Sequence, residues 1–216
     1  MSKKNKDPEA YLRFFHIACF TPSIDVYIDG KKYYSDVLYE DFTHYKLHTY
    51  GEHQVILTLN HSTEPIYERT ISLSAYKIYT LILLTDPKHR DRIGLYLIED
   101  VTRGIPTGHC MCRIGHFNYS TSLLDLRFTS PEKKDIYKKV SCYEMTPYFP
   151  LLPNTYTLNI LVNLTQKPFL ELNNLELKLE RFYTLYIIGN KKEETPPQII
   201  LSIDGNSYLH LTKPTD

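Results

Sequence analysis

The feature that most constrains this chain is an internal repeat, because a sequence that runs through one pattern twice is built from two like units. Arg13-Phe14-Phe15-His16 is followed by Asp25-Val26-Tyr27-Ile28, and Arg113-Ile114-Gly115-His116 by Asp125-Leu126-Arg127-Phe128, an offset of 100 at Arg, His and Asp alike. Tyr45, Gly51 and Val55 answer Tyr148, Asn154 and Leu158 at an offset of 103. Tyr79-Thr80-Leu81 answers Tyr183-Thr184-Leu185 at 104. The slow drift reads as a few inserted residues, which loops absorb at little entropic cost. The length of 216 residues suits two domains of roughly 100 residues each.

Each copy reads as β-strands. Residues 24–28 alternate ahead of Asp29-Gly30, a dipeptide whose two residues both accept positive φ, so a hairpin returning over 31–34 is expected. Further strands are expected over 42–48, 54–59, 67–73, 78–84 and 93–98, then over 112–117, 123–128, 156–162, 172–179, 183–188 and 199–203. No convincing amphipathic helix interrupts them, which indicates an all-β chain of sandwich or barrel type. The second copy has Ser130-Pro131-Glu132-Lys133-Lys134 in place of Asp29-Gly30, so its hairpin end is looser and more charged. The resulting layout is a polar tail over 1–10, a sandwich over 11–101, a linker over 102–108, a second sandwich over 109–212 and a tail over 213–216.

Arg13 and His16, the loop Thr21-Pro22-Ser23, the run Asp25-Val26-Tyr27-Ile28-Asp29-Gly30 and the stretch from Tyr39 to Tyr45 resemble the bacterial domain-of-unknown-function family 4397. Tyr79-Thr80-Leu81 fits the strand near that family's end. The second copy lacks the proline loop and the Asp-Gly hairpin, keeping mainly Arg113, His116, Asp125 and the Tyr183 strand. The resemblance implies two tandem immunoglobulin-like β-sandwich domains on a bacterial envelope or spore protein, and no catalytic activity. Fold of this type hosts many roles, so the functional implication is slight.

Composition excludes some classes. Lysine plus arginine and aspartate plus glutamate each total 25, so no basic field exists to attract nucleic acid. No apolar run reaches transmembrane length, and no signal-peptide pattern is seen, which places the chain in the cytoplasm or a spore layer as an expectation. The cysteines Cys19, Cys110, Cys112 and Cys142 form no Cys-x-x-Cys pair and read as reduced thiols. Cys110, Cys112 and His116 share a strand face, yet Leu12 fills the place of Cys112 in the other copy, so an apolar slot explains it better than a metal. No nucleophile elbow or phosphate-cradling loop is present. No enzyme, cofactor or metal is expected.

Three sets of residues remain as candidates. Arg13, His16 and Asp25, with Arg113, His116 and Asp125, read as framework, His and Asp satisfying each other or nearby backbone at a core edge. Tyr79 and Tyr183 each open a late apolar strand after a polar turn, the placement of a tyrosine corner. Tyr27, Tyr33, Tyr34, Tyr39 and Tyr45 crowd the first hairpins and form either a binding surface or a buried layer. The expected function is a non-catalytic structural or protein-interaction role, the partner being a protein or a second copy. The alternative is a carbohydrate or small-ligand module using a tyrosine-rich surface. A binding site, if one exists, is expected once, in the loops where the copies diverge.

Overall fold

The computed structural model describes residues 9–86, 89, 92–100, 104–132, 135–190 and 195–209. The chain divides into two compact units after Thr102, and the second closes at Ser207. In the first unit the strands are β1 (Glu9–His16), β2 (Ile24–Ile28), β3 (Lys31–Val37), β4 (Lys46–Thr49), β5 (Gly51–Leu59), β6 (Pro65–Leu73), β7 (Ile78–Thr85) and β8 (Ile93–Glu99). One sheet has the order β4-β1-β7-β8 and the other β3-β2-β5-β6. All neighbours are antiparallel except β1 and β7, which run parallel. A parallel pair needs a long crossover, and here the whole second sheet lies between the two strands in sequence.

The second unit repeats this plan. Its strands are β9 (Cys110–His116), β10 (Leu123–Thr129), β11 (Asp135–Ser141), β12 (Glu144–Met145), β13 (Phe149–Leu151), β14 (Asn154–Val162), β15 (Pro168–Leu177), β16 (Phe182–Asn190) and β17 (Thr195–Ile203). The sheets run β12-β9-β16-β17, with β13 also on β9, and β11-β10-β14-β15; β9 and β16 are the parallel pair. Both units are thus β-sandwiches, each with its own core. Leu12, Phe14, Val26, Leu57 and Leu81 meet in the first, and Ile114, Leu126, Phe128, Leu158 and Leu185 in the second. Strands β7 and β16 are buried along their whole length because both faces are covered, which is why they read as continuous apolar runs instead of alternating.

The Asp29-Gly30 turn has φ of 50° and 75°, the two positive values that a two-residue hairpin loop requires. Two local expectations change. The strand expected over 42–48 begins only at Lys46, because Phe42 makes an isolated bridge to Phe15 and Thr43 is tied to the Phe14 backbone. Strands β11, β12 and β13 were not anticipated. The last element described is the turn Gly205–Ser207, pinned to β16 where the Ser207 hydroxyl accepts from the Phe182 N–H. Residues 1–8 and 213–216 of the expected tails, 101 and 210–212 of the expected sandwiches and 102–103 of the expected linker lie outside the described residues.

Candidate functional site

The repeated residues assemble into one polar cluster per unit, on the sheet face away from the core. Parallel register sets Arg13 beside Thr80 and Arg113 beside Thr184. Each arginine Nε donates to the threonine Oγ1, at 2.9 Å and 2.7 Å. The Arg13 guanidinium lies over the rings of Phe42 and Tyr45, and that of Arg113 over Tyr148. Tyr45 and Tyr148 then donate to the carboxylates of Asp100 and Asp204, each at 2.7 Å. In the second unit Thr184 also donates to Asp204, and Arg113 Nη2 stands 3.7 Å from it. Arg13, Asp100, Arg113 and Asp204 are all buried, so these charges depend on one another and on their hydrogen bonds. Thr43 and Thr146 add a shared detail, each Oγ1 accepting from the backbone N–H at 14 and 114.

His16 and His116 are fully buried, but neither pairs with the aspartate that follows it. Ala18 N–H donates to His16 Nδ1, which leaves Nε2–H to donate to the Pro22 carbonyl. His116 Nε2 meets Thr121 Oγ1, and its Nδ1 has no partner among the described residues. Burial lowers the affinity of both imidazoles for a proton, His116 to a pKa of about 4. Of the two arrangements the spacing left open, neither histidine pairs with its aspartate, and His16 bonds nearby backbone. Asp25 instead accepts from Lys32 Nζ and the Asp36 N–H, and Asp125 from Asn163 and Gln166. Burial acts to raise the pKa of both carboxyls, and these hydrogen bonds outweigh it to leave both lowered. Tyr79 and Tyr183 accept from the backbone N–H of Ser74 and Lys178 across their turns.

The five tyrosines do not form one surface. Tyr34 is buried and donates to the Leu12 carbonyl, and Tyr45 is committed to Arg13 and Asp100. Tyr27 is half-buried under the Lys32 ammonium, Tyr33 stacks on His48 with centroids 4.4 Å apart, and Tyr39 sits edge-on to His16. Strand alternation turns neighbours such as Tyr33 and Tyr34 to opposite sides, so density in sequence does not become an aromatic patch.

Two features went unread in the sequence. His48 and His53, both buried, share a pocket of about 310 Å³ with Asp29, whose carboxylate lies 2.7 Å from His53 Nδ1. His53 Nε2 is taken by the Thr49 carbonyl, and the described residues contain no trio of His, Cys, Asp or Glu side chains arranged for a metal. Cys110 and Cys112 are buried thiols, that of Cys110 pushed up to about 11 by burial.

The second feature is a concavity of about 450 Å³ on the outer face of β10, β11 and β14. Register places Tyr137 beside Arg127 and Lys139 beside Asp125. Tyr137 is 65 % exposed. Asp135 gathers Arg127 Nε and Nη2 at 3.0 Å and 2.6 Å and the Tyr137 hydroxyl at 3.2 Å, and the Arg127 bonds come first in holding its carboxyl below the usual range. Leu161 supplies apolar lining, and Gln166 closes the rim. A signal for this site was available in the second copy's departure from the first at 127–139, but β11 itself was not read as a strand.

Fold and site together define an all-β protein of two sandwiches, each stabilised by an internal Arg–Thr–Tyr–Asp cluster. The family described as domain of unknown function DUF4397 matches residues 10–127, more than half of the chain, and the protein belongs to that family. No curated protein matches it. Among solved structures, a carbohydrate-binding module of family CBM26 from Eubacterium rectale Amy13K, solved with maltoheptaose, is similar at 9 % identity and a TM-score of 0.27, over 90 % of this chain and 96 % of that one. A putative adhesin from Bacteroides ovatus is similar at 10 % identity and a TM-score of 0.26, over 100 % and 98 %. At that similarity neither says what this chain binds.

Proposed function

We propose that the protein is a non-catalytic binding and display module, two immunoglobulin-like sandwiches descended from one duplicated unit and working in a bacterial envelope or spore layer. The observation that carries this reading is the fate of the shared polar residues. Arg13, Thr80, Tyr45 and Asp100, and their counterparts Arg113, Thr184, Tyr148 and Asp204, are bound to one another. Groups spent in this way hold a frame rigid and are not placed to attack a substrate. The recurrence of the sheet order and of this cluster at offsets of 100 to 104 supports the duplication. The open polar and aromatic groups stand on strands, where a rigid scaffold presents them to a partner.

Passing a bacterial envelope or spore extract over the immobilised full chain tests the reading. The expected result is retention of a specific component, with no turnover of chromogenic ester, glycoside or phosphate substrates. Turnover of any of these, or passage of the whole extract without retention, overturns it.

A further inference from the structure

We infer that the outer face of β10, β11 and β14 is a binding site for an uncharged pyranose glycan, with Tyr137 as its stacking platform; this rests on the reading of the chain as a binding module. The floor is apolar at Leu161 and at the Tyr137 ring, and the rim is polar. That combination fits a pyranose, which carries C–H bonds on one face and hydroxyls around its edge. At about 450 Å³ the concavity lies in the range of small-ligand sites, roughly 300–1,000 Å³.

Charge decides the class of sugar. Asp125 and Asp135 face Arg127 and Lys139, and the charges meet in pairs: Arg127 Nη2 is 2.6 Å from Asp135, and Lys139 Nζ is 3.8 Å from Asp125, while the third lining cation, Lys138, holds its ammonium over the Phe149 ring, 4.2 Å from the centroid. An internally paired site exerts little net field on an ion, so a uronate or sialylated glycan gains nothing over a neutral one. Hydrogen-bonding capacity remains all the same. Arg127 donates to Asp135 through Nε and Nη2, and Gln166 donates to Asp125 and the Asn163 carbonyl through Nε2. Arg127 Nη1 and Gln166 Oε1 have no protein partner among the described residues, which leaves a donor and an acceptor for adjacent hydroxyls.

The first unit lacks this arrangement. Tyr27 stands where Arg127 does, and the Lys32 ammonium lies 5.3 Å from its ring centroid while tied to Asp25 at 2.6 Å. The Arg127 guanidinium likewise lies 5.9 Å from the Tyr137 ring centroid, but Tyr137 stays 65 % exposed whereas Tyr27 is half-buried, so the first unit offers less open ring.

The test is an immobilised panel of glucose, galactose, mannose and N-acetylglucosamine oligomers, with uronate polymers and sialylated glycans beside them, probed with the full chain, Tyr137→Ala and Tyr137→Phe. The wild-type chain is expected to hold one or more neutral oligomers. Tyr137→Phe keeps the ring and binds within about twofold, whereas Tyr137→Ala loses about tenfold. Competition with the free monosaccharide distinguishes a single-residue site from one that needs a polymer. No retention, retention of charged glycans alone, or retention unmoved by Tyr137→Ala overturns the proposal. If extract components are still captured while the panel is blank, the sugar assignment falls and the binding reading stands.

Discussion

Asp204 shows how much a single residue carries. It is fully buried, accepts from Tyr148 and Thr184, and faces the Arg113 guanidinium, so the carboxylate balances a charge that has no water to turn to. Asp204→Asn keeps the shape and removes that balance, and about 3 kcal/mol of stability is expected to go with it. Tyr183→Phe removes a neutral hydroxyl whose donor, Lys178 N–H, lies at the solvent edge, and about 1 kcal/mol is expected. Urea unfolding of both variants separates the two, and equal midpoints would show the buried cluster to be energetically idle. None of these partners was legible as a partner. Arg113, Tyr148 and Thr184 were matched to Arg13, Tyr45 and Thr80, but Asp100 was not matched to Asp204, although the two stand at the same offset of 104.

At the scale of elements, turns separate what local chemistry decides from what neighbours decide. Gly30 has φ of +75° with nothing within 4 Å of an added Cβ. Gly30→Ala therefore meets only the left-handed backbone penalty, about 1–2 kcal/mol. Gly189 has φ of +84°, and a Cβ there would sit 2.3 Å from the Pro196 carbonyl oxygen on the adjacent strand. Gly189→Ala is expected to destabilise by clearly more, because backbone and not a side chain must move. Thermal melts of the two variants check the order, and a smaller loss for Gly189→Ala would refute it. The Asp-Gly hairpin was readable because both its residues declare positive φ. Strand β11 was not, since an exposed edge strand containing Lys138 and Lys139 lacks the apolar pattern by which strands are recognised.

Across the whole molecule, buried neutral histidines link stability to pH. His48 and His116 have pKa values lowered to about 4, in both cases chiefly by burial, and that of His16 is lowered for the same reason. The unfolded chain, with imidazoles near 6.5, takes up protons that the folded chain refuses. Stability is thus complete above pH 6.5 and falls as pH drops towards 4, by about 1.4 kcal/mol per pH unit for each of His48 and His116, with His16 adding to the loss. The lowered carboxyls of Asp25, Asp29, Asp125 and Asp135 extend the loss below their ordinary range. Urea midpoints at pH 7.5, 6, 5 and 4.5 are expected to fall steadily, and a flat series would remove this account. Because His16 and His48 lie in the first unit and His116 in the second, both are expected to weaken together.

The sequence by itself determined the all-β class, the Asp29-Gly30 hairpin and the positions that recur from one unit to the other. These follow from short-range rules: alternation along a strand, φ at a turn, and matching order along the chain. Only the tertiary structure decided which recurring residues meet. Arg13 reaches Thr80 and Tyr45 reaches Asp100 because a parallel strand pair and a returning loop bring distant segments to one face. Tertiary packing likewise decided that Tyr34 is core, Tyr45 a lid over a buried arginine, and Tyr137 an open ring. A strand shows its two faces to anyone reading its residues, but what covers each face comes from elsewhere in the chain.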